Sequence, residues 1–253
     1  MTAPLNEARI AVAQRVALVV PCYNEASRLD FAAFEAWAQS GVLLVFVDDG
    51  STDDTHKRLE SVFRKRANVT LMRLQKNVGK AEAVRMGLLY ALENFSDAEW
   101  YGFWDADLSA PPDQLAVLLS YIPMYSDERP CALWGSRLKR LGADIRRSQL
   151  RHLLGRGFAF MSSMLLGVHA YDTQCGAKLF DRAVVQKCFA EPFLTDWIFD
   201  LELLLRLESG AVIECPLTKW HARGSSRINF TKLMIKLPMH MAALRRRYVA
   251  RAE

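Results

Sequence analysis

Several features that mark other classes of protein are missing from this 253-residue sequence. No uninterrupted apolar stretch approaches the roughly 18 to 20 residues that a membrane-spanning helix needs, and no charged-then-apolar signal pattern stands at the start. The five cysteines are widely scattered and form no C-x-x-C pair, which argues against a disulfide framework and against a zinc site. We therefore expect a cytoplasmic protein that does not cross a membrane.

Linkers and repeats are missing too, since the chain contains no Gly/Ser-rich stretch, internal repeat or low-complexity tract. With 51% apolar and 24% charged residues, the composition is typical of a folded globular protein. The length suits one elaborated domain. We predict a single domain over residues 1–253, made of a core at 16–136, a second region at 137–230 and a basic amphipathic tail at 231–253.

Basic residues are concentrated in the second half. Residues 137–156 contain seven basic side chains and one acidic side chain, and residues 219–251 contain nine basic side chains and none that is acidic. The whole chain has a formal net charge of +5, so the sequence outside these two stretches is net acidic. This distribution predicts an anionic partner for the second half.

Short runs of β-branched and aliphatic residues alternate with helical patterns over the first half. Strands buried on both faces have this composition, and their alternation with helices predicts a parallel sheet. We predict an α/β, doubly wound, mostly parallel sheet with helices on both faces, with its core up to about residue 136, and a helical, basic C-terminal extension. The predicted strands are residues 16–20, 42–47, 69–74, 100–104, 131–134 and 212–215, and the predicted helices are residues 29–39, 54–66, 79–93, 112–121, 149–166 and 197–209.

Polar clusters follow three of the predicted strands: PCYNE at 21–25, DDGSTDDT at 48–55 and DADLS at 105–109. Because ligands bind at the carboxyl ends of the strands in an open α/β sheet, we expect these clusters to meet in one cleft. Asp48 and Asp49 end a buried strand, where two carboxylates are costly without a ligand. Some residues of the clusters have the alternative of a purely local role in turns or helix caps, namely Asn24, Glu25, Asp53 and Asp54.

Asp105 and Asp107 are the strongest candidates for a metal site. Side chains two apart in an extended segment point to the same side, so both carboxylates can reach one hard cation. Mg²⁺ or Mn²⁺ fits, because such ions prefer oxygen ligands and commonly bridge to a diphosphate. A D-x-D triplet alone is weak evidence, but this one follows a predicted strand and precedes Pro111. An exposed acidic turn is the alternative.

No complete phosphate-binding loop accompanies these clusters. Residues 77–80, NVGK, resemble one superficially, but Leu74 stands where the pattern requires Gly, and Ala81 stands where it requires Ser or Thr. No G-x-G-x-x-G follows the first predicted strand either. Lys80 at a helix N-terminus can still attract the phosphates of a nucleotide, and the alternative is a solvated lysine.

Seven motifs occur in an order that is typical of one enzyme family: PCYNE, DDGSTDDT, NVGKAEAVRMG, DADLS, GSR, DTQCGAKLF and FDLELL. Over residues 16–230 the sequence resembles inverting family-2 glycosyltransferases, in particular dolichyl-phosphate β-glucosyltransferases and their bacterial polyprenyl-phosphate relatives. The early motifs are shared across the family, whereas DTQCGAKLF at 172–180 and FDLELL at 199–204 are more specific to the subgroup. The resemblance implies a GT-A-like fold and makes residues 137–230 the acceptor side.

The resemblance also implies roles for individual residues. Asp105 and Asp107 would hold the metal and the diphosphate, while Arg137 and Arg151 would meet the phosphate of the acceptor. The nucleoside pocket would be lined by Pro21, Tyr23, Glu25 and Asp49, with Lys80 near it.

Residues of the later motifs are implied to bind substrate as well. Gln174 and Lys178 belong to the subgroup motif, without an atom-by-atom assignment, and Ser226 and Arg227 match an element near the substrate phosphates. Ser109 stands where mannosyl-phosphate-forming relatives carry a metal-binding Gln. This departure favours the glucosyl subgroup.

The implied reaction is attack by a polyprenyl phosphate on the anomeric carbon of a nucleotide sugar, UDP-glucose, with inversion and loss of the nucleoside diphosphate. The second pKa of a phosphate monoester is about 6, so this nucleophile is largely ionised at neutral pH. The first alternative is a sugar-hydroxyl acceptor, as in polysaccharide or glycolipid assembly, which needs a general base such as Asp200 or Glu202. The second alternative is a catalytically silent nucleotide-sugar-binding subunit.

Many relatives carry transmembrane helices that this sequence lacks, so the resemblance implies peripheral docking on the cytoplasmic face of a membrane or a membrane-protein partner. From residue 230 to 249 apolar residues recur at three- and four-residue steps, as an amphipathic helix requires, with a kink expected at Pro238. We expect this basic tail to dock on an anionic membrane surface. The alternative is a terminal helix that packs on the domain. Nucleic acid is not an expected partner.

Overall fold

The computed structural model describes residues 16–124, 129–207, 212–223 and 230–250, with the backbone alone for Arg151 and residues 230–235. Seven strands form the central sheet: β1 (Val16–Cys22), β2 (Leu43–Asp48), β3 (Val69–Arg73), β4 (Trp100–Trp104), β5 (Ala132–Ser136), β7 (Ala177–Phe180) and β8 (Val212–Pro216). They lie in the order β3-β2-β1-β4-β7-β5-β8. Two short strands, β6 (Asp144–Arg146) and β9 (Lys219–His221), pair in a second sheet.

The central sheet is mostly parallel. Only β7 runs antiparallel to its neighbours in the described part of the chain, between β4 and β5. The other pairings, β1 with β2 and β4, β2 with β3, and β5 with β8, are parallel. The predicted sheet class is therefore confirmed.

Helices cover both faces of this sheet. They are α1 (Phe31–Gln39), α2 (Thr55–Phe63), α3 (Lys80–Asn94), α4 (Gln114–Leu119), α5 (Gln149–Leu166), α6 (Arg182–Cys188), α7 (Phe199–Arg206) and α8 (Phe230–Leu244). A 3₁₀ turn at Ile122–Met124 and a π-helical turn at Arg245–Val249 complete the helical elements that the structure describes.

Successive side chains of each central strand point to opposite faces and build two hydrophobic cores. On one face, alternate residues of β1 such as Leu18 pack with Phe34 of α1 and Phe63 of α2. On the other face, Val19 packs with Leu88 of α3 and Phe199 of α7. The carboxyl ends of β1, β2 and β4 are thereby fixed along one edge of the sheet, which is where ligands bind in such folds.

The predicted boundary of the α/β core near residue 136 is wrong, because the central sheet continues beyond it. β7 and β8 follow that residue in sequence and lie beside β5 in the same sheet. The strand β7 is only four residues long and carries Lys178 in its middle, so it lacks the apolar run by which a buried strand is recognised. The helix α6, with seven residues, and the strands β6 and β9, with three residues each, were not predicted either, because they are too short to give a periodic pattern.

The tail helix packs on the domain, which was the alternative to membrane docking. Leu237, Met241 and Leu244 of α8 are buried in a third cluster with Ile198 and Leu201 beside them. The domain therefore covers these three residues of the apolar face that was expected to meet a membrane. No helix in the described ranges is long and apolar enough to cross a membrane.

Candidate active site

A cleft of about 1080 Å³ opens at the carboxyl edge of the central sheet. Its walls come from the segments that follow β1, β2 and β4, together with parts of α3, α5 and the 171–176 loop. Nine of the predicted site residues line it: Pro21, Tyr23, Glu25, Asp49, Lys80, Asp105, Asp107, Arg137 and Gln174. The structure therefore brings together residues that are up to 153 positions apart in the sequence.

The PCYNE turn is fastened to the DDGSTDDT loop by hydrogen bonds. The backbone N–H groups of Thr52 and Asp53 donate to Oδ1 of Asn24 at 2.8 and 3.3 Å, and the N–H of Asn24 donates to Ser51 Oγ at 2.9 Å. Asn24 adopts the left-handed region, with φ 52°, which asparagine tolerates better than most residues. Asn24 therefore has a local role in the turn, which was the alternative to ligand binding.

The carboxylate of Asp49 lies in the cleft wall and accepts from the backbone N–H groups of Val78 and Gly79, at 2.7 and 3.0 Å. Burial raises the pKa of Asp49, and these two hydrogen bonds act in the opposite direction. The amide groups of the NVGK segment are thus bound to a carboxylate of the protein. This use of the amides agrees with the absence of a phosphate-loop pattern.

Other carboxylates of the DDGSTDDT loop maintain the loop. Asp48 is fully buried, and its Oδ1 accepts from the N–H of Ser51 at 3.0 Å. The Oδ1 of Asp53 accepts from the N–H of Thr55 at 3.0 Å. Asp54 stands at the N-cap position of α2 without a capping hydrogen bond from its side chain.

Asp105 and Lys80 form an ion pair inside the cleft, with 2.5 Å between Lys80 Nζ and Asp105 Oδ1. Burial lowers the pKa of Lys80, but the charges of Asp105, Asp200 and Asp107 outweigh this effect and raise it. Lys80 begins α3 directly after Gly79, whose φ of 93° is in the region that favours glycine. The ammonium group is therefore fixed beside the carboxylate pair.

Gly176 has no side chain, and the Asp105 carboxylate occupies the space where a Cβ atom of residue 176 would lie. The N–H of Asp105 donates to the carbonyl oxygen of Gly176 at 2.9 Å. A Cβ atom at Gly176 would lie 1.9 to 2.4 Å from the carboxylate atoms of Asp105. The glycine of the DTQCGAKLF motif thus determines where the first carboxylate of DADLS can lie.

Asp107 faces the same cleft and accepts from the backbone N–H of Ser109 at 2.9 Å. Burial and then the charge of Asp105 raise the pKa of Asp107, so the two carboxylates repel each other. The guanidinium of Arg28 lies 3.7 Å from Asp107 and 3.5 Å from Glu25. The sequence analysis did not identify Arg28 as a site residue. Its position three residues after Glu25 was the only signal in the sequence that it could lie near the carboxylates.

The two carboxylates fit a divalent cation chemically. They supply hard oxygen ligands on one wall of the cleft and would gain from a positive charge between them. Within the ranges that the structure describes, no group of three His, Cys, Asp or Glu side chains converges on one position. A cation there would complete its coordination with substrate oxygens and water, as Mg²⁺ commonly does.

Arg137 is bound to an acidic partner within the protein. Its Nε and Nη2 donate to the two carboxylate oxygens of Asp172 at 2.5 and 2.6 Å, and its guanidinium lies 5.3 Å from the centre of the Trp220 ring. Burial opposes ionisation of Asp172, but the charge and hydrogen bonds of Arg137 outweigh it and lower the pKa of Asp172 to about 2. Arg137 is thus held rigidly at the cleft wall.

The Arg137–Asp172 pair predicts a loss of stability in acid. The folded pKa of Asp172 lies below its ordinary value of 3.8, so the contribution is present above that value and is lost as the pH falls to about 2. We expect this group alone to remove about 2 kcal/mol between pH 5 and pH 2, as measured by urea unfolding. Asp172→Asn should lack this component and be less stable at pH 7, because Arg137 loses its partner. An unchanged pH dependence in the variant would contradict the assignment.

Lys178 does not line the cleft, unlike the other predicted site residues with described side chains. Its side chain has 0% exposure, and its Nζ donates to Asp200 Oδ1 at 2.7 Å and to the carbonyl oxygen of Cys175. The ammonium also lies 4.2 Å from the centre of the Trp134 ring. Lys178 therefore stabilises the fold behind the site.

The two candidate general bases are placed differently. Asp200 lines the cleft and keeps its ion pair with Lys178. Glu202 is a buried residue of α7, and its carboxylate accepts from Arg206, Tyr248 and the N–H of Leu194. Of the two, only Asp200 is positioned to reach a substrate.

Three predicted site residues lie outside what the structure describes. Ser226 and Arg227 fall in the undescribed range 224–229, and the side chain of Arg151 is not described. Trp220, which precedes Ser226 and Arg227 in the sequence, lines the cleft from β9. The predicted roles of Arg151, Ser226 and Arg227 stay predictions.

Comparison with known proteins identifies the family. The profile described as Glycosyl transferase family 2 matches residues 17–189. The dolichyl-phosphate beta-glucosyltransferase of Saccharomyces cerevisiae is 28% identical over 252 residues, covering 92% of this chain and 75% of that protein. A dolichyl-phosphate beta-glucosyltransferase of Trichomonas vaginalis is 31% identical over 241 residues, covering 89% of this chain and 69% of that protein.

The fold has solved counterparts. The crystal structure of glucosyl-3-phosphoglycerate synthase from Mycobacterium tuberculosis, in complex with Mn²⁺ and UDP-glucose, aligns with a TM-score of 0.68 at 17% identity. The alignment covers 94% of this chain and 82% of that chain. At this identity the likeness concerns the fold, which is GT-A-like as expected. With the family profile matching more than half of its length, the chain belongs to glycosyltransferase family 2.

Proposed function

We propose that this glycosyltransferase moves glucose from UDP-glucose to a polyprenyl phosphate, with inversion and with a divalent metal. The observation that carries the proposal is the pair Asp105 and Asp107, held with Lys80 at the strand-end cleft of a family-2 fold. The acceptor class is supported by relatives that are named dolichyl-phosphate beta-glucosyltransferases. The donor is supported by the same names and by the UDP-glucose complex of the structural neighbour.

Asp105 and Asp107 would hold Mg²⁺ or Mn²⁺ together with the diphosphate of the donor. The neighbour was crystallised with Mn²⁺ and UDP-glucose, which supports this choice of cation. A bound divalent ion would neutralise charge on the leaving diphosphate. The nucleoside would be held by Pro21, Tyr23, Glu25 and Asp49, which line the same cleft.

Lys80 and Arg28 supply positive charge where the leaving group departs. Lys80 is fixed at the start of α3, 2.5 Å from Asp105. Arg28 is anchored by the carbonyl oxygen of Arg223 at 3.0 Å while its guanidinium faces Asp107. Preorganised cations of this kind stabilise the negative charge that develops in the transition state without reorganising.

The acceptor would enter from the side of Arg137. Because Asp172 takes two donor groups of Arg137, an acceptor phosphate would bind to the remaining face of this guanidinium. Arg151, Ser226 and Arg227 are proposed as further phosphate ligands from their sequence positions. A polyprenyl phosphate needs no general base, since it is already ionised.

A sugar-hydroxyl acceptor is the second candidate, and one observation favours it: Asp200 lies in the cleft wall, where a general base would act. Replacing Asp200 alone would leave Lys178 buried without its partner, which destabilises the protein whatever the mechanism. The variant that separates the two is therefore Lys178→Met with Asp200→Asn. Turnover with polyprenyl phosphate should fall less than about tenfold in this double variant. A loss of more than a hundredfold would contradict this, because it would show that the reaction depends on a base at Asp200, which an ionised phosphate acceptor does not need.

We propose that α5 is the membrane-docking surface in place of the tail. Leu150, Phe160 and Met164 of α5 are 68%, 66% and 71% exposed, and their helical spacing leaves them on one side of α5. Exposed basic residues precede α5, among them Lys139, Arg140 and Arg146, as expected for contact with anionic headgroups. Free cysteines throughout the chain agree with the cytoplasmic face.

Docking through α5 predicts a loss of liposome binding when its exposed apolar residues become polar. We expect Leu150→Ser, Phe160→Ser and Met164→Ser together to reduce cosedimentation with anionic liposomes about tenfold or more. Met124→Ser with Leu194→Ser is the matched control, because both residues are exposed and apolar but lie outside α5. Equal pelleting of the triple variant and the wild type would refute this surface.

A further inference from the structure

Two buried polar atoms in the cleft wall have no hydrogen-bond partner among the residues that the structure describes. Thr173 is 2% exposed, yet its hydroxyl has no hydrogen-bond partner among the described residues. The side-chain nitrogen of Gln174 is buried and equally unpaired within the described ranges. Both residues line the cleft. A buried polar group without a partner is costly, and most such groups in native proteins are satisfied.

The loop that carries these side chains is held firmly from behind. The N–H groups of Tyr171 and Asp172 each donate to the carboxylate of Glu214 on β8, at 2.8 Å. The indole N–H of Trp134 on β5 donates to the carbonyl oxygen of Asp172 at 3.1 Å. The ion pair between Asp172 and Arg137 adds a further anchor. The loop backbone is therefore fixed by two strands of the central sheet while Thr173 and Gln174 face the cleft.

Thr173 and Gln174 lie between Asp172 and Gly176 in the 171–176 loop, and each of these two neighbours contacts a different part of the site. On one side, Gly176 contacts the carboxylate-bearing segment through the 2.9 Å hydrogen bond from Asp105. On the other side, Asp172 holds Arg137. In the proposed function the diphosphate binds at Asp105 and the acceptor phosphate binds at Arg137. The group that must occupy the space between them is the sugar that is transferred.

We infer that Thr173 and Gln174 bind hydroxyl groups of the donor hexose and determine which hexose is accepted. This inference rests on the proposed function. The Thr173 hydroxyl can donate or accept, and the Gln174 amide nitrogen donates. Together they recognise a ring carrying oxygen atoms at fixed positions. A site with polar groups that only the correct hydroxyl pairs discriminates strongly against sugars that leave those groups unpaired.

The test measures binding of UDP and of UDP-glucose in the presence of Mn²⁺, by calorimetry on the full chain. Thr173→Val and Gln174→Met remove the polar atoms at similar volume. We expect each to weaken UDP-glucose binding about tenfold and to leave UDP binding unchanged, since UDP lacks the sugar. The preference for UDP-glucose over UDP-galactose should shrink in the same variants.

Two controls separate sugar recognition from general damage. Thr173→Ser keeps the hydroxyl and should retain most of the wild-type affinity. Thr195 also has a buried hydroxyl without a partner in the described part of the chain but lies outside the cleft wall, so Thr195→Val should leave both affinities unchanged.

The outcomes that overturn the inference are distinct from those that overturn the proposed function. Variants that keep the wild-type ratio of UDP-glucose to UDP affinity would refute sugar binding by Thr173 and Gln174. So would unchanged donor binding combined with a raised KM for polyprenyl phosphate, which would assign the two groups to the acceptor. Failure of the wild-type protein to bind either nucleotide would instead refute the proposed function, and the inference with it.

Discussion

Asp105→Asn and Asp107→Asn are each expected to reduce glucosyl transfer about a thousandfold or more, because each removes a charge that the metal-bound diphosphate requires. The structure places both carboxylates in one cleft, with Lys80 and Arg28 beside them. Asparagine keeps the shape of aspartate, so the fold should persist. Transfer and UDP release should be measured with Mn²⁺ at saturating donor. Near-normal turnover in either variant would contradict the metal assignment.

The two substitutions should differ in their effect on stability when no metal is present. Asp107→Asn removes a carboxylate whose pKa is raised by burial and by Asp105, so its melting temperature in EDTA should rise, by about 2 °C. Asp105→Asn should not share this rise, because it takes away the partner of Lys80. Equal shifts in both variants would show that the pair with Lys80 contributes nothing measurable.

Gly176→Ala is expected to cost about a hundredfold in transfer, although glycine carries no reactive group. The new methyl group would overlap the Asp105 carboxylate, which lies 1.9 to 2.4 Å from the position of the added Cβ. The short Asp105 side chain must then turn away, and a misplacement of about 1 Å is enough for a loss of this size. The affinity for Mn²⁺ in the presence of UDP should fall with the activity.

A double variant tests whether Gly176 acts through Asp105. If it does, adding Gly176→Ala to Asp105→Asn should weaken Mn²⁺ binding little further, because residues that act as one unit are not additive. A circular dichroism melt of each variant checks that the fold is intact. Additive losses of Mn²⁺ affinity would show that Gly176 supports the site by a different route.

The carboxyl edge of the sheet could be predicted because the strands that carry it are apolar except for Asp48 at the end of β2. The runs that became β1, β2 and β4 are fully buried except for Pro21 and Leu43, so their ends were visible in the sequence. The polar clusters follow these ends directly. Parallel strands then bring the clusters to one edge without any knowledge of side-chain packing.

Residues that depend on distant partners could not be assigned in this way. Lys178 was expected in the site, but it is buried against Asp200, which lies 22 positions later in the sequence. Arg137 was expected to meet the acceptor phosphate, and its pairing with Asp172, 35 positions away, could not be predicted from the sequence. A sequence motif records that a charged residue is present, whereas its partner depends on the tertiary fold. Arg28 escaped notice for the same reason.

The tail shows the limit of periodicity. An amphipathic helix has the same apolar spacing whether it meets a membrane or its own domain. In the structure Leu237, Met241 and Leu244 of α8 pack against α7 and its neighbours. By contrast, the exposed apolar side of α5 could be identified only from solvent exposure.

The most direct test of the proposed reaction follows glucose into lipid. The protein is incubated with UDP-[¹⁴C]glucose, a polyprenyl phosphate and Mn²⁺, and the label is followed into the organic phase while UDP is measured in the aqueous phase. We predict one UDP released for each glucose transferred, a β-linked glucosyl phosphate by NMR, and no product with EDTA or with Asp105→Asn. An α-linked product, or glucosylation of sugar hydroxyls with none of polyprenyl phosphate, would contradict the proposed function.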